Sequence, residues 1–231
     1  MTTAKSHFAR PTALAAILAS ALWAQPMALL ANDGANPLTE PSTGSFPDPT
    51  LSRWQERAFE GSTKYEIVSA GSEKVLKGFA DGTASVLYNE KKVNVAKTPW
   101  VNWSWRVENT LGPIEEQTKA GDDFPGRLYV VVRTGFLPWE TTAVNYVWSS
   151  STDIGTHWVS PFTEKSVMIA LQSGDEETGQ WQHERRNVVD DFKQFFNLDV
   201  KQIDGYAVMV DADNTGKQAT AYFGNISFSS Q

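Results

Sequence analysis

The sequence predicts an all-β jelly-roll sandwich carrying one short helix near 188–196. Three observations predict it. Short runs rich in Val, Ile, Tyr, Trp and Phe recur from Lys64 to Ser229, turn signals such as Asp81-Gly82, Gly174-Asp175 and Asn214-Thr215-Gly216 separate them, and a single segment has helical periodicity. Many short strands with hairpin punctuation are the pattern of two sheets packed face to face.

In chain order, residues 1–31 read as a signal peptide. Lys5 and Arg10 form a basic start, an apolar run extends from about Thr12 to Ala24, and small residues follow. The run is too short, and too interrupted by Pro26, for a stable membrane span. Cleavage is expected after Ala31, with Ala24 as the second option, giving a periplasmic or secreted chain without a membrane span. No Cys lies there to carry a lipid anchor. Residues 32–50 (NDGANPLTEPSTGSFPDPT) are rich in Pro, Gly, Ser and Thr, as a flexible linker is. Residues 51–231 then form one domain, which LSRWQERAF opens as a short helical turn or a lead-in strand.

The expected strands are KYEIVSA, KVLKGFA, ASVLYN, WVNWSWRV, RLYVVVRT, AVNYVWSS, SVMIALQSG, GYAVMVDA and TAYFGNISFS. Side chains alternate across a strand. In WVNWSWRV this places Val101, Trp103, Trp105 and Val107 on one face, with Trp100, Asn102, Ser104 and Arg106 on the other. In RLYVVVRT, Leu128, Val130 and Val132 look inward, and Arg127, Tyr129 and Arg133 line the opposite face. The segment NVVDDFKQFFNL breaks the pattern, with Val188, Phe192, Phe195 and Phe196 on a helical stripe. Asn187 is a good N-cap for that helix, and Asp190 and Asp191 sit in its first turn, where the helix dipole favours anions.

Composition bounds the function. The 231 residues carry 20 Lys+Arg against 27 Asp+Glu, a formal charge of −7, and no Cys. An acidic exported chain is a poor general binder of nucleic acid or anionic lipid. The cysteine count removes thiol catalysis and thiolate metal sites. The sequence also holds no phosphate-binding Gly loop, no His-x-x-x-His or His-Glu-x-x-His spacing and no Gly-x-Ser-x-Gly elbow.

The candidate chemistry is a polar, aromatic face assembled from several strands. Arg106, Arg133, Asn145, Trp148, Trp158 and Trp181 are its candidate ligand-binding residues, with His157 beside them. Flat rings offer apolar surface to sugar C–H groups, and arginine holds a carboxylate bidentately. The bland alternative keeps the tryptophans in the core and pairs the arginines with the surplus carboxylates. Tyr129, His183, Arg127 and Arg185 are the candidate catalytic residues, because a polysaccharide lyase needs a uronate neutraliser and a proton-moving Tyr or His. Glycoside hydrolysis would draw its two carboxylates from Asp122, Asp123, Glu184 and Asp191, although Asp122-Asp123, after Gly121 and before Pro125, reads more readily as a solvated turn. The loop DADNTG offers Asp211 and Asp213 to a metal, although Tyr222 stands where an EF-hand has its closing Glu. No cofactor is expected; a structural calcium ion in that loop is an option, and hairpin-turn chemistry accounts for its Asp, Asn, Thr and Gly equally well.

The stretches TKAGDDFPGRLYVVV, NYVWSS, GQWQHERRNVVDDF and DGYAVMVDADNTGKQATAYFGNISF resemble an exported bacterial family catalogued as domain of unknown function 3047, from about Trp54 to Phe228. The resemblance implies no particular activity. The strand order and the closing YFGNISF strand are also similar to galactose-binding-like and carbohydrate-binding jelly rolls, which bears on fold and not on function. Three readings stay open: binding of a carbohydrate, including an acidic glycan, on the aromatic and Arg-rich face; a lyase or hydrolase using that face; and a non-catalytic envelope structural protein. Whether the protein is an enzyme is left open by the sequence. Within WQHERR, either Trp181, His183 and Arg185 or Gln182, Glu184 and Arg186 face a groove, and Arg127 and Tyr129 are expected to meet them there.

Overall fold

The computed structural model describes residues 43–137 and 140–231. The expected signal peptide, with Ala24 and Ala31, and residues 32–42 of the expected linker lie outside the described residues. Among the described residues the fold is a two-sheet jelly-roll sandwich with one helix. Its strands are β1 Gln55–Glu60, β2 Lys64–Ala70, β3 Glu73–Asp81, β4 Ala84–Asn89, β5 Trp100–Val107 and β6 Gly126–Arg133. They continue with β7 Thr141–Ser149, β8 His157–Ser160, β9 Thr163–Ser173, β10 Gln182–Asn187, β11 Gly205–Asp211 and β12 Gln218–Ser229, and α1 spans Val188–Phe196. The seven-stranded sheet runs β1-β4-β11-β6-β7-β9-β8, and the five-stranded sheet runs β10-β5-β12-β3-β2. No helix among the described residues is long and apolar enough to cross a membrane.

Alternation sets the core. Val101, Trp103, Trp105 and Val107 of β5 face Leu128 and Val130 of β6 and Val144, Tyr146 and Trp148 of β7, all of them buried. Trp103 stacks on Tyr146 with ring centroids 5.1 Å apart, and Trp105 meets Trp148 at 5.9 Å. Each such ring removes ~150–250 Å² from water, roughly 4–6 kcal/mol before the entropy of ordering is subtracted. The helix follows β10 directly and meets β7 and β8 of the larger sheet. Phe192 is fully buried, the Tyr146 hydroxyl donates to Asp191 Oδ2 at 2.7 Å, and the Phe195 ring lies 4.9 Å from His157 at the β8 edge.

Three strands were not expected outright, for physical reasons. β1 is exposed along its whole length and, among the described residues, pairs with β4 alone, so no burial periodicity marks it. β8 has four residues. β10 is polar throughout, because its inward side chains are held by hydrogen bonds rather than apolar contact. The described end of the expected linker also packs onto the sandwich. Phe46 is buried against Trp54 at 4.9 Å, and its N–H donates to the Lys74 carbonyl at 2.7 Å.

Candidate functional site

β10 closes the free edge of β5 in antiparallel register, His183 opposite Ser104, Glu184 opposite Trp103 and Arg185 opposite Asn102. Trp103 points into the core, so Ser104 and Asn102 point out, and His183 and Arg185 with them. The outward triplet of WQHERR is therefore Trp181, His183 and Arg185. These strands form one wall and the floor of a groove of about 480 Å³, lined by Asn102, Ser104, His183, Arg185 and Asn225, with Trp103 and Glu184 completing the floor. The opposite rim is Thr43 and Gly44.

The rim exists because of a glycine and a bulge. The register of β12 on β5 shifts between Phe223 and Ile226, which brings Gly224 under the N-terminal segment and turns Asn225 toward the groove. The Thr43 carbonyl accepts from the Asn225 N–H at 3.1 Å and from the Ser104 hydroxyl at 2.5 Å. A Cβ on residue 224 would stand 2.6 Å from the Thr43 oxygen, closer than any real contact, so only glycine lets the segment lie there.

The groove carries one exposed arginine, Arg185. The Arg185 guanidinium lies 4.0 Å from the centroid of the Trp100 ring. Arg106 pairs with Glu108 and Arg186 with Asp191, whereas Arg185 has no carboxylate partner among the described residues. Glu184 sends its side chain inward, where Oε1 accepts from Gln172 Nε2 at 2.7 Å and from Trp105 Nε1 at 3.2 Å. Burial raises its pKa from the ordinary glutamate value, against the hydrogen bonds from Gln172 and Trp105.

The expected convergence of Arg127 and Tyr129 with His183 and Arg185 does not form. Arg127 stands opposite Val147 and Tyr129 opposite Asn145, on the outer face of the seven-stranded sheet, which is the other surface of the sandwich. Arg127 is buried, donating from Nε to Asp211 Oδ1 at 2.8 Å, from a terminal nitrogen to Asp211 Oδ2, and lying 3.5 Å from Asp122. The half-buried Tyr129 hydroxyl donates to Met209 Sδ at 3.3 Å, and burial raises its pKa. Neither is free to move a substrate proton.

The six expected ligand-binding residues scatter likewise. Trp148 is fully buried in the core and donates to the Gly174 carbonyl. Asn145 is also fully buried and donates to Val167 O at 3.4 Å. Trp158 packs on Phe124 at 6.0 Å, and Arg133 is exposed at the far end of β6. Arg106 and Trp181 belong to the groove's side of the molecule, Arg106 lying 5.0 Å from the Tyr222 ring centroid. Sequence reasoning left Trp100, Gly224 and Asn225 out of the site. Alternation had already set Trp100 beside Asn102 and Ser104, but the Asn225 bulge has no local signal.

The four carboxylates considered for hydrolysis are each committed elsewhere. Asp122 lies against Arg127, Glu184 is bound as described, and Asp191 accepts from Arg186 Nε and the Tyr146 hydroxyl. Asp123 accepts the Thr215 N–H at 2.7 Å and the Asn214 N–H at 3.2 Å, fastening the 212–216 loop. Asp211 and Asp213 do come together, with Asp123 as a third, their ligand atoms all within 4.8 Å of one another. Arg127 already engages both oxygens of Asp211, so an oxygen set for calcium, which takes six to eight ligands, is incomplete here. Burial, against the opposing pull of Arg127, pushes Asp211 up to about 7, and burial with the neighbouring Asp123 raises Asp213.

The description "Protein of unknown function (DUF3047)" matches residues 52–227. No curated protein matches the chain in sequence. Among solved structures, the chain is similar to the family 11 carbohydrate-binding module of a Clostridium thermocellum cellulosomal cellulase, at 10% identity and TM-score 0.40, over 76% of this chain and 86% of that one. It is similar to a module specific for non-crystalline cellulose, CBM28, at 12% identity and TM-score 0.39, over 83% and 96%. A family 12 glycoside hydrolase matches at 9% identity and TM-score 0.42, over 76% and 98%. Likeness at this level is one of sandwich outline, and outline does not assign function.

Proposed function

Since the chain belongs to the DUF3047 family, which carries no assigned activity, we propose its function from the groove: the protein binds a carbohydrate on the outer face of the five-stranded sheet. The observation that carries this reading is the convergence of His183, Arg185, Asn102, Ser104 and Asn225 on one open groove of about 480 Å³. Sugars present hydroxyls that both donate and accept, and amide, hydroxyl and imidazole side chains answer both needs. Trp181, half-buried, immediately precedes β10 and is outside the residues that line the groove.

Binding is favoured over bond cleavage because the partners each reaction needs are apart. The lyase reading set Tyr129 beside His183, and the sandwich separates them. The hydrolase reading needs two carboxylates facing across a gap, and among the described residues the groove's one lining carboxylate, Glu184, turns its side chain inward.

The test is calorimetric titration of a polysaccharide panel with the parent and three variants. Asn225→Ala and Asn102→Ala are expected to weaken binding by roughly 5–10-fold each, on the scale of one hydrogen bond. Tyr129→Phe, on the opposite surface, is expected to bind as the parent does. Groove variants that bind as tightly as the parent would sink the reading, as would a panel without any ligand.

A further inference from the structure

Resting on that reading, we infer that the groove selects an acidic glycan, taking a uronate-type carboxylate between Arg185 and His183. The first observation is the state of Arg185. Its guanidinium is laid over the Trp100 ring at 4.0 Å, which fixes its plane and shields one face from water. A guanidinium held this way presents its N–H fork edge-on, the geometry a carboxylate takes bidentately.

The second observation is the missing counter-charge. The chain carries 27 acidic residues against 20 basic ones, and the neighbouring arginines of β5 and β10 have found partners in Glu108 and Asp191. Arg185 has none among the described residues, and Glu184, next to it in sequence, is turned away and held by Trp105 and Gln172. The groove thus keeps a cation exposed in a molecule with ample carboxylate to neutralise it.

The third is His183, two residues before Arg185 on the same strand face. The spacing is about 6.8 Å along the strand, which leaves room for one carboxylate to meet both side chains. Asn102 and Asn225, lining the same groove, are placed for the sugar hydroxyls. A neutral polymer would leave the guanidinium desolvated and unpaired, and the site would reject it on that account.

The experiment compares polyuronates (galacturonate, glucuronate and mannuronate–guluronate polymers) with their carboxyl-reduced neutral counterparts and with polyglutamate, by calorimetry at fixed salt. The parent is expected to bind at least one polyuronate about tenfold or more tightly than its reduced form, and polyglutamate weakly. Arg185→Gln is expected to erase that preference, and Arg185→Lys to restore only part of it, because an ammonium lacks the fork. Arg185 is exposed, so both variants keep the fold, which near-ultraviolet circular dichroism checks. Equal binding of reduced and acidic polymers, still sensitive to Asn225→Ala, would overturn the acid selectivity and leave the glycan reading standing. Polyglutamate binding as tightly as polyuronate, or no polyuronate binding at all, would also overturn the acid selectivity, and the glycan reading falls with it only if the reduced, neutral polymers do not bind either. An unchanged acid preference in Arg185→Gln would also overturn the inference.

Discussion

Arg127 and Arg185 both occupy outward positions on their strands, and their surroundings give them opposite roles. Alternation along RLYVVVRT was enough to point Arg127 away from the core, whereas in WQHERR it left two triplets open until pairing with β5 turned Arg185 outward. It had nothing to say about the residues that arrive from elsewhere: Asp122 from the preceding loop and Asp211 from β11 enclose Arg127, while Trp100 merely supports Arg185. Removing one partner of a buried ion pair strands the other in a low dielectric. Arg127→Ala, measured by urea unfolding at pH 8, is therefore expected to lose about 3–5 kcal/mol of stability. A loss below about 1 kcal/mol would show that Asp211 is not charged in the fold.

The junction of β10 and α1 shows what one element can and cannot announce. Asn187 ends the strand and caps the helix, its Oδ1 accepting from the Val189 N–H at 3.1 Å and the Asp190 N–H at 3.3 Å. Asn–x–x–acid followed by an apolar stripe is a local signal, so the helix was legible over Val188–Phe196. Asn187→Ala is expected to cost about 1 kcal/mol, read as a lower thermal midpoint with the sheet signal unchanged. β10 was less legible, because an edge strand whose inward Glu184 and Arg186 are hydrogen-bonded has no apolar period to read. The bulge at Asn225 was not legible at all. A register shift is a relation between two strands, and YFGNISF alternates acceptably without one.

At the scale of the whole molecule, buried carboxylates set the pH response. Asp211 is pushed up to about 7, and Asp122, Asp213 and Glu184 move the same way, chiefly through burial. An acid whose folded pKa lies above its unfolded value takes up a proton on folding. Its stabilisation is complete below the unfolded value, about 3.9 for Asp, and is lost as pH rises through the folded one. Asp48 opposes this, held down at about 2 by the Arg53 and Thr50 hydrogen bonds, and its contribution is lost only as pH falls toward that value. Urea midpoints are expected to be highest near pH ~4–5 and to decline toward pH ~8, with Asp211→Asn flattening the decline. A midpoint that climbs across that interval would contradict the assignment.

Local pattern by itself determined the fold class, most strands with their inward and outward faces, the single helix, and which three residues of WQHERR could share a face. These follow from periods of two and 3.6 residues, which are properties of short segments. Only the tertiary structure decided that β10 pairs with β5, that Gly224 and Asn225 hold Thr43 over the groove, and that Arg127 and Tyr129 lie on the other surface. The reason is geometric. Alternation tells inside from outside, but a sandwich has two outsides facing opposite ways, and the strand's sheet is set by pairing with residues far along the chain.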